Sequence, residues 1–220
     1  MFHDRLDAAR QLAAALAHHR GSHPLVLAIP RGAVPMAAHL AQTLGGELDI
    51  VLVRKLPAPY SNEFAVGSVD ESGWVYVAPH ANLAGADADY LARVRREQLA
   101  EIARRRAAYT PGRAAASARG RTVIVVDDGL ATGATMLAAL HAVRQRAPAH
   151  LVCAVPVGSR ESVALVRPAA DELVCLLTPA DFQAVGQFYA HFPQVEDAEV
   201  VRALRAAADP AAPGGAGTPP

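Results

Sequence analysis

The sequence predicts an α/β protein: an open, mostly parallel twisted sheet with helices on both faces, a small lid or hood from the C-terminal region, and a flexible loop running into a β-hairpin. Two observations carry this prediction. Short apolar runs of strand length alternate with longer segments of helical spacing, the pattern of a parallel sheet covered on both sides. The second is Val123 to Thr135, read as V-I-V-V-D-D-G-L-A-T-G-A-T. Four β-branched apolar residues lead into two carboxylates, then into small and hydroxyl residues, and from Met136 the pattern turns helical. Ligands of open α/β sheets bind outside the carboxyl ends of the strands, and a helix N-terminus offers free N–H groups to anions. Carboxylates and an anion cradle therefore stand side by side, and a phosphorylated sugar is the simplest molecule that matches both.

From His3 to His19 apolar residues recur at Leu6, Ala9, Leu12, Ala13 and Leu16, the spacing of an amphipathic helix. His18, His19 and His23 straddle its end and Gly21, and are read as solvated polar residues without a role. Pro24 to Ile29 is a strand, followed by P-R-G-A-V-P and a helix from Pro35 to Leu44 that Gly45 and Gly46 end. Arg31 suits phosphate oxygens and Gly32 permits close backbone approach. Leu48 to Val53 is the next strand, apolar except for Asp49, with Arg54 and Lys55 at its carboxyl end.

Pro57 to Phe64 is rich in loop formers. Ala65 to Val69 and Trp74 to Val77, joined by D-E-S-G, read as a hairpin. Asp87 to Tyr109 is a long helix whose many arginines, offset by Glu97 and Glu101, are expected to form a solvated face. After a linker from Arg113 to Gly120 and the central motif, Ala134 to Ala147 is helical, Leu151 to Val155 a strand, Arg160 to Val166 a short helix and Glu172 to Leu176 a strand. Thr178 to Phe192 holds three of the five phenylalanines and Tyr189. It is either a core-capping segment or a lid whose rings stack on a planar ligand. A last helix covers Asp197 to Ala208. One domain over residues 1–208 is expected, with a disordered Pro, Gly and Ala tail over 209–220.

Bulk properties narrow the function. The 220 residues carry 21 Lys plus Arg against 21 Asp plus Glu, so the long-range attraction of a nucleic-acid or acidic-membrane binder is missing. Cys153 and Cys175 lie inside apolar runs and read as buried thiols of a reducing compartment. No N-terminal signal pattern and no apolar run near ~18 residues is present, and a cytoplasmic protein is expected.

With these residues in view, the sequence resembles the type I phosphoribosyltransferases. Val123 to Thr135 resembles that family's motif for 5-phosphoribosyl 1-pyrophosphate (PRPP), with Gly129 standing where an apolar residue is usual. P-R-G after the first strand resembles the pyrophosphate loop, and R-K-L-P the corresponding piece of the adenine and orotate enzymes. The resemblance covers about Asp4 to Leu204, with three motifs in the family's order.

It implies that the amides of Ala131, Thr132, Gly133, Ala134 and Thr135, with the two threonine hydroxyls, hold the 5-phosphate. Asp127 and Asp128 divide the ribose hydroxyls and support of the metal's water shell between them. Arg31, the Gly32 amide and Lys55 neutralise pyrophosphate, and Glu63, in a closing loop from Leu56 to Val66, contacts leaving group or base. Mg²⁺ is the implied cofactor, held mainly through PRPP and water rather than by direct protein ligands. Implied partners are PRPP and a nucleobase or other acceptor, with a homodimer left open and neither nucleic acid nor membrane expected. A non-catalytic sensor of PRPP or a nucleotide on the same fold is the alternative. A phosphate-receiver or hydrolase leaves A-T-G-A-T unexplained, and no G-K-[ST] follows to make a P-loop.

Overall fold

In the computed structural model, residues 1–208 are described, except for the side chains of Asn62 and Glu63; the tail at 209–220 lies outside the described residues. The main sheet contains β1 (Leu25–Ala28), β2 (Glu47–Ile50), β6 (Thr122–Val126), β7 (His150–Val157) and β8 (Glu172–Leu177). Its order is β2-β1-β6-β7-β8, and every pairing is parallel. A second, antiparallel sheet runs β3 (Val53–Ala58), β4 (Ser61–Asp70) and β5 (Val75–Val77).

Alternation along the buried strands builds a core on each face of the main sheet. Val26, Ala28, Ile124, Val126, Val152 and Ala154 pack toward α1 (Arg5–Ala15) and α2 (Val34–Leu44). Leu25, Leu27, Val123, Val125, Leu151 and Cys153 pack toward α4 (Ala134–Arg144) and α5 (Arg160–Val166). Helix α2 leaves β1 on one face and α4 leaves β6 on the other, so the chain diverges between these neighbouring strands. That is the topological switch point at which open sheets bind ligands. Helices α3 (Ala88–Tyr109) and α6 (Asp197–Ala208) complete the described chain, α3 lying against β3 and β4.

Several expectations need correction. The strand expected over Leu48 to Val53 stops at Ile50, and Val53 opens β3, so Arg54 and Lys55 lie within a strand of the second sheet rather than at the tip of β2. The expected loop from Pro57 to Phe64 is largely the paired arms of β3 and β4, joined at Pro59 and Tyr60. Pro57 sits at a register irregularity, where its missing N–H is tolerated.

The arginines of α3 are not uniformly solvated. Arg93 and Arg104 form exposed pairs with Glu97 and Glu101. Arg106, by contrast, turns inward to Glu71 at 2.8 Å, and Arg95 donates to the Gly73 carbonyl. Buried Asp49 accepts from Arg113 and from the Ala116 amide, tying the linker before β6 to the edge strand. His18 and His19 follow α1 in a short 3-10 turn, and His19 is buried, 8% exposed, instead of solvated. Cys153 and Cys175 are free thiols, Cys153 buried as expected but Cys175 only half-buried, and burial pushes the pKa of each up.

Candidate active site

The carboxyl ends of β1 and β6 bring the first and third motifs together. After β6, Asp127 and Asp128 stand at the mouth of the loop that enters α4, whose N-cap is Gly133. The Asp128 amide donates to Asp127 Oδ1 at 2.9 Å. Burial first, and next the Asp128 carboxylate, push Asp127 well above the usual carboxylate range. Burial raises Asp128 too, against the opposing pull of Arg5. Perturbed carboxylates in a cleft are what a ligand-binding or catalytic site produces.

Arg5, from the first turn of α1, is the partner that sequence reasoning missed. Its Nε and Nη2 donate to Asp128 Oδ2 at 3.0 and 2.9 Å. The guanidinium lies 3.8 Å from the Phe192 ring centroid, and Nη1 donates to the Pro193 carbonyl. One signal for it exists in the sequence: a cation in the first turn of a helix opposes the helix dipole, so it needs a compensating acid from elsewhere.

Two glycines mark close approaches. A Cβ on Gly32 would collide with Asp128 Oδ2, so the loop after β1 can lie against the carboxylate only without a side chain. A Cβ on Gly129 would come within 2.6 Å of Val185 Cγ1 and 2.7 Å of Cγ2. Gly129, the departure from the family motif, thus receives a side chain from the C-terminal hood.

That hood, the segment expected over Thr178 to Phe192, is mainly core-capping. Tyr189 is buried and donates to the Asp128 carbonyl at 2.7 Å. Phe182 and Phe188 stack on one another, Tyr189 stacks on Phe192, and all four pack on the core. The segment is also stitched to the N-terminus, by Phe2 to Phe188 and by Ala190 and His191 to Phe2 and His3.

Around the carboxylates runs a cleft of about 200 Å³ lined by Lys55, Asp127 to Gly133, Thr135, Met136 and Val185. A larger one, about 460 Å³, is lined by Ile29, Pro30, Val53, Arg54, Lys55, Pro57, Gln98 and Thr135. Lys55 and Thr135 line both, so the two clefts adjoin between the carboxylates and the second sheet.

Ala131, Thr132, Gly133 and Thr135 line the smaller cleft, whereas Ala134 is buried and its carbonyl accepts from Ser68. Arg31 is in neither lining and reaches instead toward Asp197 of α6 at 3.4 Å. The side chain of Glu63 lies outside the described residues.

Comparison with known proteins gives the family of the chain. A family model described as "Phosphoribosyl transferase domain" matches residues 2–191. Two Mycobacterium tuberculosis proteins, one of them from strain H37Rv and each named "Putative phosphoribosyl transferase", are 43% identical over 210 residues. The match covers 93% of this chain and 46% of theirs, so the chain spans about half the length of these curated relatives. The crystal structure of TT1426 from Thermus thermophilus is 45% identical and superposes with a TM-score of 0.78, covering 92% of this chain and 97% of that one. Among the described residues no helix is long and apolar enough to cross a membrane.

Proposed function

Because the chain belongs to the phosphoribosyl transferase domain family, we propose that it moves the 5-phosphoribosyl group of PRPP to a nitrogenous base, or runs the reverse, with release of pyrophosphate. The observation that carries this reading is the run of two adjoining clefts. Paired carboxylates and a small-residue loop at the head of α4 occupy one end, and Lys55 stands between that end and the larger cleft.

The 5-phosphate is assigned to the loop from Ala131 to Thr135, where backbone N–H groups and the helix terminus favour an anion. Asp127 and Asp128 face the ribose hydroxyls. Asp128 does so with one oxygen committed to Arg5, which fixes its orientation before substrate arrives. Lys55 meets the pyrophosphate as it departs and stabilises the negative charge that develops there. Arg31 leaves an exposed partner, Asp197, at little cost and adds a second positive charge. Val185 over Gly129 bounds the side on which an acceptor enters.

Oxygen-rich groups beside a cradle of this kind fit Mg²⁺, which takes few protein ligands and keeps several waters. Asp127 and Asp128 are the residues that would support its water shell, and when bound the ion supplies charge neutralisation at the pyrophosphate. The remaining work of orienting the sugar and excluding water belongs to the chain's own loops.

A pyrophosphate-release screen with PRPP, Mg²⁺ and a panel of purines, pyrimidines and amines tests the proposal. Acceptor-dependent release by the wild-type chain is expected. Saturable PRPP binding without release for any acceptor would overturn transfer in favour of sensing.

A further inference from the structure

At the end of the sheet away from the carboxylates, a 3-10 turn and two strand starts bring four ligand-type side chains together. His18 and His19 close the turn that follows α1, His150 opens β7 and Glu172 opens β8. His18 Nε2 lies 3.1 Å from Glu172 Oε1, His19 Nε2 3.0 Å from Oε2, and His150 Nε2 3.4 Å from Oε2. The ligand atoms of His18, His19 and Glu172 all lie within 4.8 Å of one another. The His18 and His19 rings are 4.1 Å apart and the His19 and His150 rings 5.9 Å apart.

We propose that His18, His19 and Glu172, with His150 hydrogen-bonded to Glu172 beside them, form a binding site for a divalent transition-metal ion of the Zn²⁺ type. The chemistry selects that class, since imidazole nitrogens suit Zn²⁺ whereas Mg²⁺ and Ca²⁺ take oxygen. The spacing matches as well. Two donors each roughly 2.0–2.1 Å from a tetrahedral ion are about 3.3 Å apart, close to the distances from His18 and His19 to the Glu172 carboxylate. The neighbouring acid is occupied elsewhere: Asp171 is gripped by Arg144 and by the Leu151 amide. That leaves Glu172 as the carboxylate aimed into the group.

The three ligand residues come from two elements, so the ion acts as a fastener. It pins the turn that follows α1 to the first residue of β8. The other end of α1 carries Arg5 on Asp128, so the site holds in place the helix that orients a carboxylate of the phosphoribosyl site, without touching substrate. This inference stands independently of the transfer reaction.

The test uses the full chain without an oligohistidine tag, stripped by chelator, with Co²⁺ and Zn²⁺ alone as probes. One equivalent of Co²⁺ is expected to give the visible d–d absorption of a four-coordinate nitrogen and oxygen site. Zn²⁺ at ~100-fold excess over its Kd is expected to raise the Tm by roughly 5–10 °C. His18→Ala, whose side chain is largely exposed, and Glu172→Gln should each weaken binding at least ~30-fold. His23→Ala, outside the cluster, should bind as wild type. Should Glu172→Gln fail to fold, His18→Ala together with His150→Ala carries the test. Absence of the absorption and of the Tm shift, or affinity unchanged in His18→Ala and His150→Ala, would overturn the proposal.

Discussion

Replacing Arg5 by Ala removes a cation that donates two hydrogen bonds to Asp128. The pair is largely but not wholly buried, with side chains 12% and 18% exposed. Breaking a fully buried pair costs about 3–5 kcal/mol, and an exposed one contributes ~0–1 kcal/mol. An intermediate loss of about 2–3 kcal/mol is expected, on the order of 4–12 °C in Tm for a chain of this size.

The loss also has a defined pH dependence. Asp128 in the folded chain already lies above its ordinary value of 3.8 because of burial, and Arg5 opposes that rise. Without Arg5 the folded value climbs further. An acid raised on folding takes up a proton in the folded state, so stability falls as pH rises from the unfolded value through the folded one. Arg5→Ala should therefore lose more at about pH 7.5 than at about pH 5, where protonation relieves the unpaired charge. Urea titrations at both pH values, repeated in an Asp128→Asn background, separate this effect from the lost contacts to Phe192 and Pro193. In that background the cost of Arg5→Ala should shrink by about 1–2 kcal/mol. A loss of the same size at both pH values, with no coupling to Asp128, would refute the reasoning.

Gly129→Ala places a methyl group against both Val185 methyls and is expected to destabilise by about 1–3 kcal/mol; Val185→Ala should restore most of the lost Tm, and a melt of the double variant checks it. Lys55→Ala, which removes a cation shared by both clefts, should lower kcat by roughly 10²-fold or more while changing affinity for a product monophosphate far less. Steady-state kinetics beside calorimetric binding tests this, and equal losses would argue against a leaving-group role.

Local features were legible in the sequence wherever local physics decides them. The apolar runs became β1 and β6, helical periodicity located α2, α3 and α4, and D-D-G-L-A-T-G-A-T marked the strand-to-helix turn that carries Asp127 and Asp128. What stayed hidden depends on pairing across the chain. Nothing between Leu48 and Lys55 says that the backbone changes sheets at Val53, because both sheets accept the same apolar residues. Arg5 meets Asp128 across 123 positions and His18 meets Glu172 across 154. Such contacts follow from strand order, which periodicity does not encode. Gly129 looked like a flaw in a motif until Val185, brought over by the hood, occupied the space beside it.

The most direct measurement of the central claim is pyrophosphate release from PRPP by the wild-type chain and by the Asp127→Asn/Asp128→Asn variant, with the acceptor that the screen selects. A cooperative melt and an unchanged circular dichroism spectrum verify the variant's fold, with any fall in Tm no larger than the loss of the Arg5–Asp128 charge pair accounts for. Acceptor-dependent release by the wild type and its loss in a folded variant is the predicted result; undiminished release in that variant would contradict it.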